Sequence, residues 1–88
     1  MQLYFKQVYT VNTVYYEVDT TWTTLELYNN VLPLITRDFN IENFELLDTI
    51  TSFTGKPEEK PKIVLDNISL DELYSNQIRY LAIYIRPL

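Results

Sequence analysis

The amino-acid sequence predicts an α+β domain, in which a mixed sheet of four to five strands is covered on one face by a single helix. Alternating apolar and polar residues near both ends of the chain predict the strands, and an amphipathic stretch between them predicts the helix. Hydrophobic residues make up 47% of the chain and charged residues 22%, as in ordinary globular proteins. Since a chain of 88 residues has apolar surface for only one core, residues 1–88 are expected to form a single domain.

The first two strands, residues 1–6 and 13–19, are predicted to form a hairpin. In both of them every second side chain is apolar, which is typical of a strand with one buried face. The inward positions are Met1, Leu3 and Phe5 in the first strand and Val14, Tyr16 and Val18 in the second. Tyr4, Lys6 and Tyr15 alternate with them, so these three side chains are expected on the outer face.

One helix is expected after the hairpin. A threonine hydroxyl just before Leu25 can cap its first N–H groups. Apolar residues then recur at spacings of 3, 4 and 3, which is the pattern of a helix lying across a sheet. The predicted buried stripe is Leu25, Tyr28, Leu32 and Ile35. Pro33 removes a backbone hydrogen bond, so we expect a kink there or a helix that ends near Leu32. Trp22 either packs beneath the helix start, which is favoured, or serves as an exposed anchor.

The second half of the chain is predicted to supply the remaining strands. Residues 44–47 form a third strand with Phe44 and Leu46 inward and Leu47 outward, and residues 62–65 form a short fourth strand. Between them, residues 49–61 end in a polar, proline-flanked tip, which is either the turn of an extended hairpin or a mobile loop. Ser69 or Asp66 is expected to open one helical turn.

Residues 79–86 alternate again and predict the last strand. Its inward positions are Leu81, Ile83 and Ile85, and its outward positions are Tyr80, Ala82, Tyr84 and Arg86.

Three segments of the chain resemble ubiquitin. MQLYFK resembles its first strand, TVYYEV resembles its second, and SLDELYSNQIRYLAIYIR can be laid without a gap over its closing turn and last strand. The resemblance to the ubiquitin-like family implies a β-grasp sheet, with the first and last strands parallel at its centre. The chain ends in Arg86, Pro87 and Leu88 where conjugated modifiers have a Gly-Gly tail, so a non-conjugating member is expected.

No residue pattern favours catalysis. Histidine and cysteine are both absent, which removes the usual general base, the imidazole and thiolate metal ligands and the thiol nucleophile. The acidic residues between Asp38 and Asp48 lack the central glycine and final glutamate of a calcium loop. We therefore expect no enzyme activity, no metal site and no cofactor.

The charge balance restricts the class of partner. Seven basic against twelve acidic residues give a net charge of -5, which repels nucleic-acid phosphates and anionic membranes. No apolar run approaches the roughly 20 residues needed to span a bilayer, and residues 1–9 do not form a secretory signal. We expect a soluble, intracellular, most simply cytoplasmic protein that binds neither nucleic acid nor membranes.

The outer face of the predicted sheet carries the candidate partner-binding residues. Tyrosine offers a large contact area at low entropic cost, and its hydroxyl tolerates water. The resemblance adds that the main recognition patch of ubiquitin lies on this face, with Ala82 and Tyr84 at its last-strand positions and Leu47 near its third-strand position. The candidate site consists of Tyr4, Lys6, Tyr15, Leu47, Ala82 and Tyr84. Alternatively, the tyrosines are cross-strand pairs that only stabilise the sheet.

These expectations support two hypotheses about function. The first is a non-catalytic ubiquitin-like interaction module, a monomer that docks a protein partner through the outer sheet face. The alternative is a structural subunit of a larger assembly, such as a viral particle or a multiprotein complex, held through its sheet edges and residues 49–61. A small enzyme is the poorest of the three classes considered, because histidine and cysteine are missing.

Overall fold

The computed structural model of the protein describes residues 1–48, 56, 59, 61–74 and 82–88. Within them the chain forms a four-stranded mixed sheet, one long helix and one short helix. The strands are β1 (Gln2–Gln7), β2 (Thr13–Glu17), β3 (Phe44–Asp48) and β4 (Ala82–Pro87), and the helices are α1 (Thr24–Phe39) and α2 (Leu70–Tyr74). The predicted α+β class is confirmed.

The strands lie in the order β2-β1-β4-β3. β1 and β4 are parallel neighbours at the centre, while β2 pairs antiparallel with β1 and β3 pairs antiparallel with β4. The two ends of the chain therefore meet in the middle of the sheet, and β2 and β3 form its edges.

The inner face of the sheet holds the core, and the two-residue alternation predicts it correctly at most positions. Leu3, Phe5, Ile83 and Ile85 are at most 1% exposed. Met1 is an exception, since 38% of it is exposed. Its ammonium group lies 2.7 Å from Glu17 Oε1 and 3.0 Å from the carbonyl oxygen of Val18, which keeps the residue at the surface just before β1 begins.

Helix α1 begins with a capping box. The Thr23 hydroxyl accepts a hydrogen bond from the Glu26 N–H at 3.1 Å, and the Glu26 carboxylate accepts one from the Thr23 N–H at 3.2 Å. The helix is followed by Asn40, which adopts a left-handed conformation (φ 56°, ψ 45°) that asparagine tolerates better than most residues. A threonine cap before Leu25 is therefore confirmed, and Trp22 packs against the core beside it.

The helix packs on the sheet through a stripe that shares only Ile35 with the predicted one. Its fully buried apolar residues are Leu27, Val31 and Ile35, whereas Tyr28 and Leu32 lie at the flank and Leu25 is 41% exposed. Apolar residues cover a wide arc of this helix, and the sheet contacts the centre of that arc.

The predicted end of the helix near Leu32 is wrong, because α1 continues through Pro33 to Phe39. Because proline has no backbone N–H, Pro33 leaves the carbonyl of Asn29 without its helical hydrogen-bond donor. Both residues are exposed. Water can hydrate that carbonyl, which makes the proline tolerable on this side of the helix.

Residues 61–74 attach to the start of α1. The buried Thr24 hydroxyl donates a hydrogen bond to the Val64 carbonyl and accepts one from the Asp66 N–H, both at 2.8 Å. The carbonyls of Asp66 and Ile68 accept from the first N–H groups of the helix. The predicted helical turn is confirmed as α2, which the Ser69 hydroxyl caps at 3.2 Å from the Glu72 N–H.

The predicted short strand at residues 62–65 is reduced to one bridge, between Lys62 and Leu47. The predictions for Tyr80, Leu81 and most of residues 49–61 lie outside the described residues.

Candidate functional site

The strand register places Tyr4, Lys6, Tyr15, Ala82 and Tyr84 together on the outer face of the sheet. Tyr4 lies opposite Tyr15 on β2 and beside Ala82 on β4, and Lys6 lies beside Tyr84. Phe5 and Ile83, which alternate with them along β1 and β4, are buried on the inner face. The outer face is therefore a direct product of the alternation that builds the core.

Tyr4 and Tyr15 form an aromatic pair across β1 and β2. Their ring centroids are 5.6 Å apart with planes inclined at 66°, an edge-to-face arrangement. The Thr13 hydroxyl lies 3.5 Å from the Tyr4 hydroxyl on the same side. Tyr4 is partly buried, whereas Tyr15 is 62% exposed. The pair therefore holds Tyr4 in place and presents the ring of Tyr15 to solvent.

Leu47 is not on the accessible surface, so its predicted place in the contact site is wrong. Its side chain is 0% exposed although it belongs to the outer register, opposite Tyr84 on β4. The backbone of Lys62 bridges to β3 at the same position. The burial of this outward-register side chain coincides with that bridge.

Charged residues border the outer face. The Arg86 guanidinium forms an ion pair with the Glu45 carboxylate directly across the strands, so Arg86 adds little net charge. Lys6 is partly buried beside Tyr84 and forms no ion pair within the described part of the chain. Of the two cations predicted near this face, Lys6 is therefore the one available to an acidic partner.

A polar contact on the inner face was not predicted. The buried Tyr16 donates a hydrogen bond to Asp38 Oδ2 at 2.9 Å, and Arg37 donates to the same carboxylate. The hydrogen bonds from Arg37 and Tyr16 lower the pKa of Asp38, while burial and the nearby carboxylate raise the pKa of Tyr16. A tyrosine at an inward strand position signals such a partner, because a buried hydroxyl needs one. Asp38 thus ties β2 to the end of α1.

The β1–β2 hairpin loop carries two exposed apolar residues, Tyr9 (82%) and Val11 (89%), while Val8 is buried. Tyr9 has a positive φ of 63°, which is uncommon for a bulky residue. The Thr10 hydroxyl holds the loop by donating to the Gln7 carbonyl at 3.0 Å and accepting from the Asn12 N–H at 3.1 Å. The loop is well bonded, and Tyr9 lies outside the strands that carry the tyrosines of the outer face.

The described residues hold no group of three or more acidic side chains that could bind a metal ion. Within the same ranges, none of the helices has the length and apolar character to cross a bilayer.

Comparisons of the chain with protein-family models, with curated proteins and with solved structures gave no match. Its function is therefore inferred from the fold and from the side chains on the outer sheet face.

Proposed function

We propose that this chain is a non-catalytic ubiquitin-like protein with a β-grasp fold, which docks a protein partner through the outer face of its sheet. The strand order supports the fold assignment, since β1 and β4 are parallel at the centre and β2 and β3 flank them. One long helix across the inner face supports it further.

The observation that carries the proposal is the position of Tyr15. The residue is 62% exposed on the face opposite the helix, and its ring is in edge-to-face contact with Tyr4. Tyr84, Ala82 and Lys6 lie next to this pair in the strand register and are partly buried. A large, ordered aromatic ring among half-buried neighbours is the kind of residue that contributes most to protein interfaces.

The partner is expected to be a protein with a matching apolar patch and an acidic group. The apolar patch would cover Tyr15, Tyr4 and Tyr84, and the acidic group would lie near Lys6. With a net charge of -5, the chain as a whole offers little attraction to phosphate backbones.

The test compares Tyr15→Ala with Tyr9→Ala in a partner-binding assay, with the partner identified first by affinity capture on the wild-type chain. Both substitutions remove the same atoms from an exposed tyrosine, but only Tyr15 lies on the outer sheet face. Tyr15→Ala should weaken binding by roughly tenfold or more, the effect of losing a central interface residue, while it lowers the free energy of unfolding by less than about 1 kcal/mol. Tyr9→Ala should leave affinity within about twofold.

Equal affinities for wild type, Tyr15→Ala and Tyr84→Ala would contradict the proposal. If the same variants also had lower melting temperatures, the tyrosines would be stabilising cross-strand pairs. A chain that stays insoluble until it is coexpressed with neighbouring subunits would favour the alternative, a structural subunit of a larger assembly.

A further inference from the structure

A groove of about 360 Å³ lies beside the edge strand β3, and none of its lining residues is among the tyrosines of the outer sheet face. Its walls are mostly apolar side chains from α1, β3, the segment after residue 61 and the end of the chain. The principal ones are Tyr28, Phe44, Ile63, Val64, Leu65 and Leu88. Val64 and Leu88 are 70% and 79% exposed, so apolar surface continues from the groove onto its rim.

The backbone of β3 offers hydrogen-bonding groups to this groove. The Leu88 N–H donates to the Asn43 carbonyl at 2.9 Å, which shows that residues 43, 45 and 47 direct their polar groups toward β4. The alternate residues, Phe44 and Leu46, therefore direct theirs away from the sheet, to the side on which the groove lies.

The segment that begins at Lys62 pairs with the edge of β3 over a short distance and then turns away from it. Lys62 bridges to Leu47, and the Ile63 N–H donates to the Leu46 carbonyl at 2.9 Å. The Val64 carbonyl, however, accepts from the Thr24 hydroxyl at 2.8 Å, which draws the segment toward the start of α1. Strand pairing thus stops short of Phe44, and the groove occupies the gap.

Charge on the groove wall is also asymmetric. Two charged side chains line it, Glu45 and Lys62. The Glu45 carboxylate is paired with Arg86, whereas Lys62 is exposed and forms no ion pair within the described ranges. The groove is therefore apolar at its base with one available positive charge at its rim.

We propose that this groove binds an extended peptide segment of a partner protein, which adds a short strand to β3 beside Phe44 and carries an acidic residue that meets Lys62. Backbone hydrogen bonds to an open strand edge, with apolar pockets for alternate side chains, are how proteins bind peptides by strand addition. The volume is at the low end of ligand pockets and suits two or three side chains. Since the site is separate from the outer sheet face, it does not depend on the function proposed above.

The probe is a phage-displayed library of random peptides, selected on the full chain. Selected peptides should alternate apolar residues and contain an aspartate or glutamate. The best peptide is then synthesised in two versions that are N-methylated at alternate amides, one set odd and the other even. Because alternate amides of a strand point to opposite sides, one version should lose at least about tenfold in affinity and the other should bind like the parent.

Charge reversal gives the second readout. Lys62→Glu should lower the affinity for the acidic peptide roughly fivefold at low salt. Lys56→Glu makes the same charge change at another exposed lysine and should leave that affinity unchanged. Tyr15→Ala should leave peptide affinity unchanged, which separates this site from the outer sheet face.

Three results would overturn the proposal. The first is a selection that enriches no peptide. The second is equal affinity of the two N-methylated versions. The third is weaker peptide binding by Tyr15→Ala together with unchanged peptide binding by Lys62→Glu.

Discussion

The two faces of the same sheet differ sharply in what covers them. On the inner face, Leu3, Phe5, Ile83 and Ile85 are at most 1% exposed and lie under α1. On the outer face, Tyr15 is 62% exposed, and Tyr4, Lys6 and Tyr84 are half-buried. Neighbours along one strand therefore belong to different environments.

This difference assigns separate roles to adjacent residues. The inner positions supply the hydrophobic burial that a chain without disulfides depends on. The outer positions contribute less to folding, because their side chains keep contact with water. Substitutions on the two faces should accordingly separate effects on stability from effects on binding.

The largest effect is expected for Phe5→Ala. Removing a fully buried phenylalanine should lower the free energy of unfolding by about 3 to 5 kcal/mol, enough to leave a domain of this size largely unfolded. Urea denaturation followed by circular dichroism measures this loss. Tyr15→Ala is the matched control in the neighbouring strand and should cost less than about 1 kcal/mol. Similar losses for the two variants would contradict the contrast between the faces.

A smaller effect is expected for Tyr16→Phe, which removes one polar atom from the inner face. Loss of the hydrogen bond to Asp38 should lower the free energy of unfolding by about 1 kcal/mol near pH 7. Since the pKa of Asp38 is lowered in the folded protein, its contribution is present above the unfolded value of about 4 and is lost as the pH falls through the folded value.

The pKa of Tyr16 is raised in the folded state, so its contribution is present below the unfolded value of about 10 and is lost at higher pH. The stability difference between wild type and Tyr16→Phe should therefore be greatest between about pH 4 and pH 10 and narrow on both sides. Denaturation curves that extend below about pH 4 and above about pH 10 measure this narrowing. A difference that stays constant over that wider range would contradict a contribution from the hydrogen bond to Asp38.

The sequence predicts the sheet faces better than the helix face, for a physical reason. A strand has two sides and a strict period of two. An apolar series such as Leu3 and Phe5 therefore determines which side of the strand faces the core. In α1, apolar residues spread over both Leu25–Tyr28–Leu32 and Leu27–Val31, and the choice between these rows depends on contacts with the sheet.

Features set by distant parts of the chain could not be predicted. The burial of Leu47 coincides with the arrival of Lys62 at the edge of β3, and the groove beside Phe44 exists because the segment then turns toward Thr24. Neither contact can be predicted from the residues on either side of it in the sequence. The contact of Tyr16 could be predicted in part. A buried hydroxyl indicates that a hydrogen-bond partner is present, but it does not identify that partner as Asp38.

The smallest expected effect concerns the pair Tyr4 and Tyr15, and it decides how the outer face is used. A double-mutant cycle with Tyr4→Ala, Tyr15→Ala and both together should give a coupling energy of about 0.5 kcal/mol, as for exposed cross-strand aromatic pairs. The control cycle pairs Tyr4→Ala with Tyr9→Ala and should give no coupling, since Tyr9 lies in the hairpin loop.

Coupling well above about 1.5 kcal/mol would mean that the two rings are a structural unit and that the outer face, like the inner one, is used mainly for stability. A small value leaves most of the ring surface of Tyr15 without a role in folding. The presence of a large exposed aromatic side chain at this position is then better explained by contact with another protein.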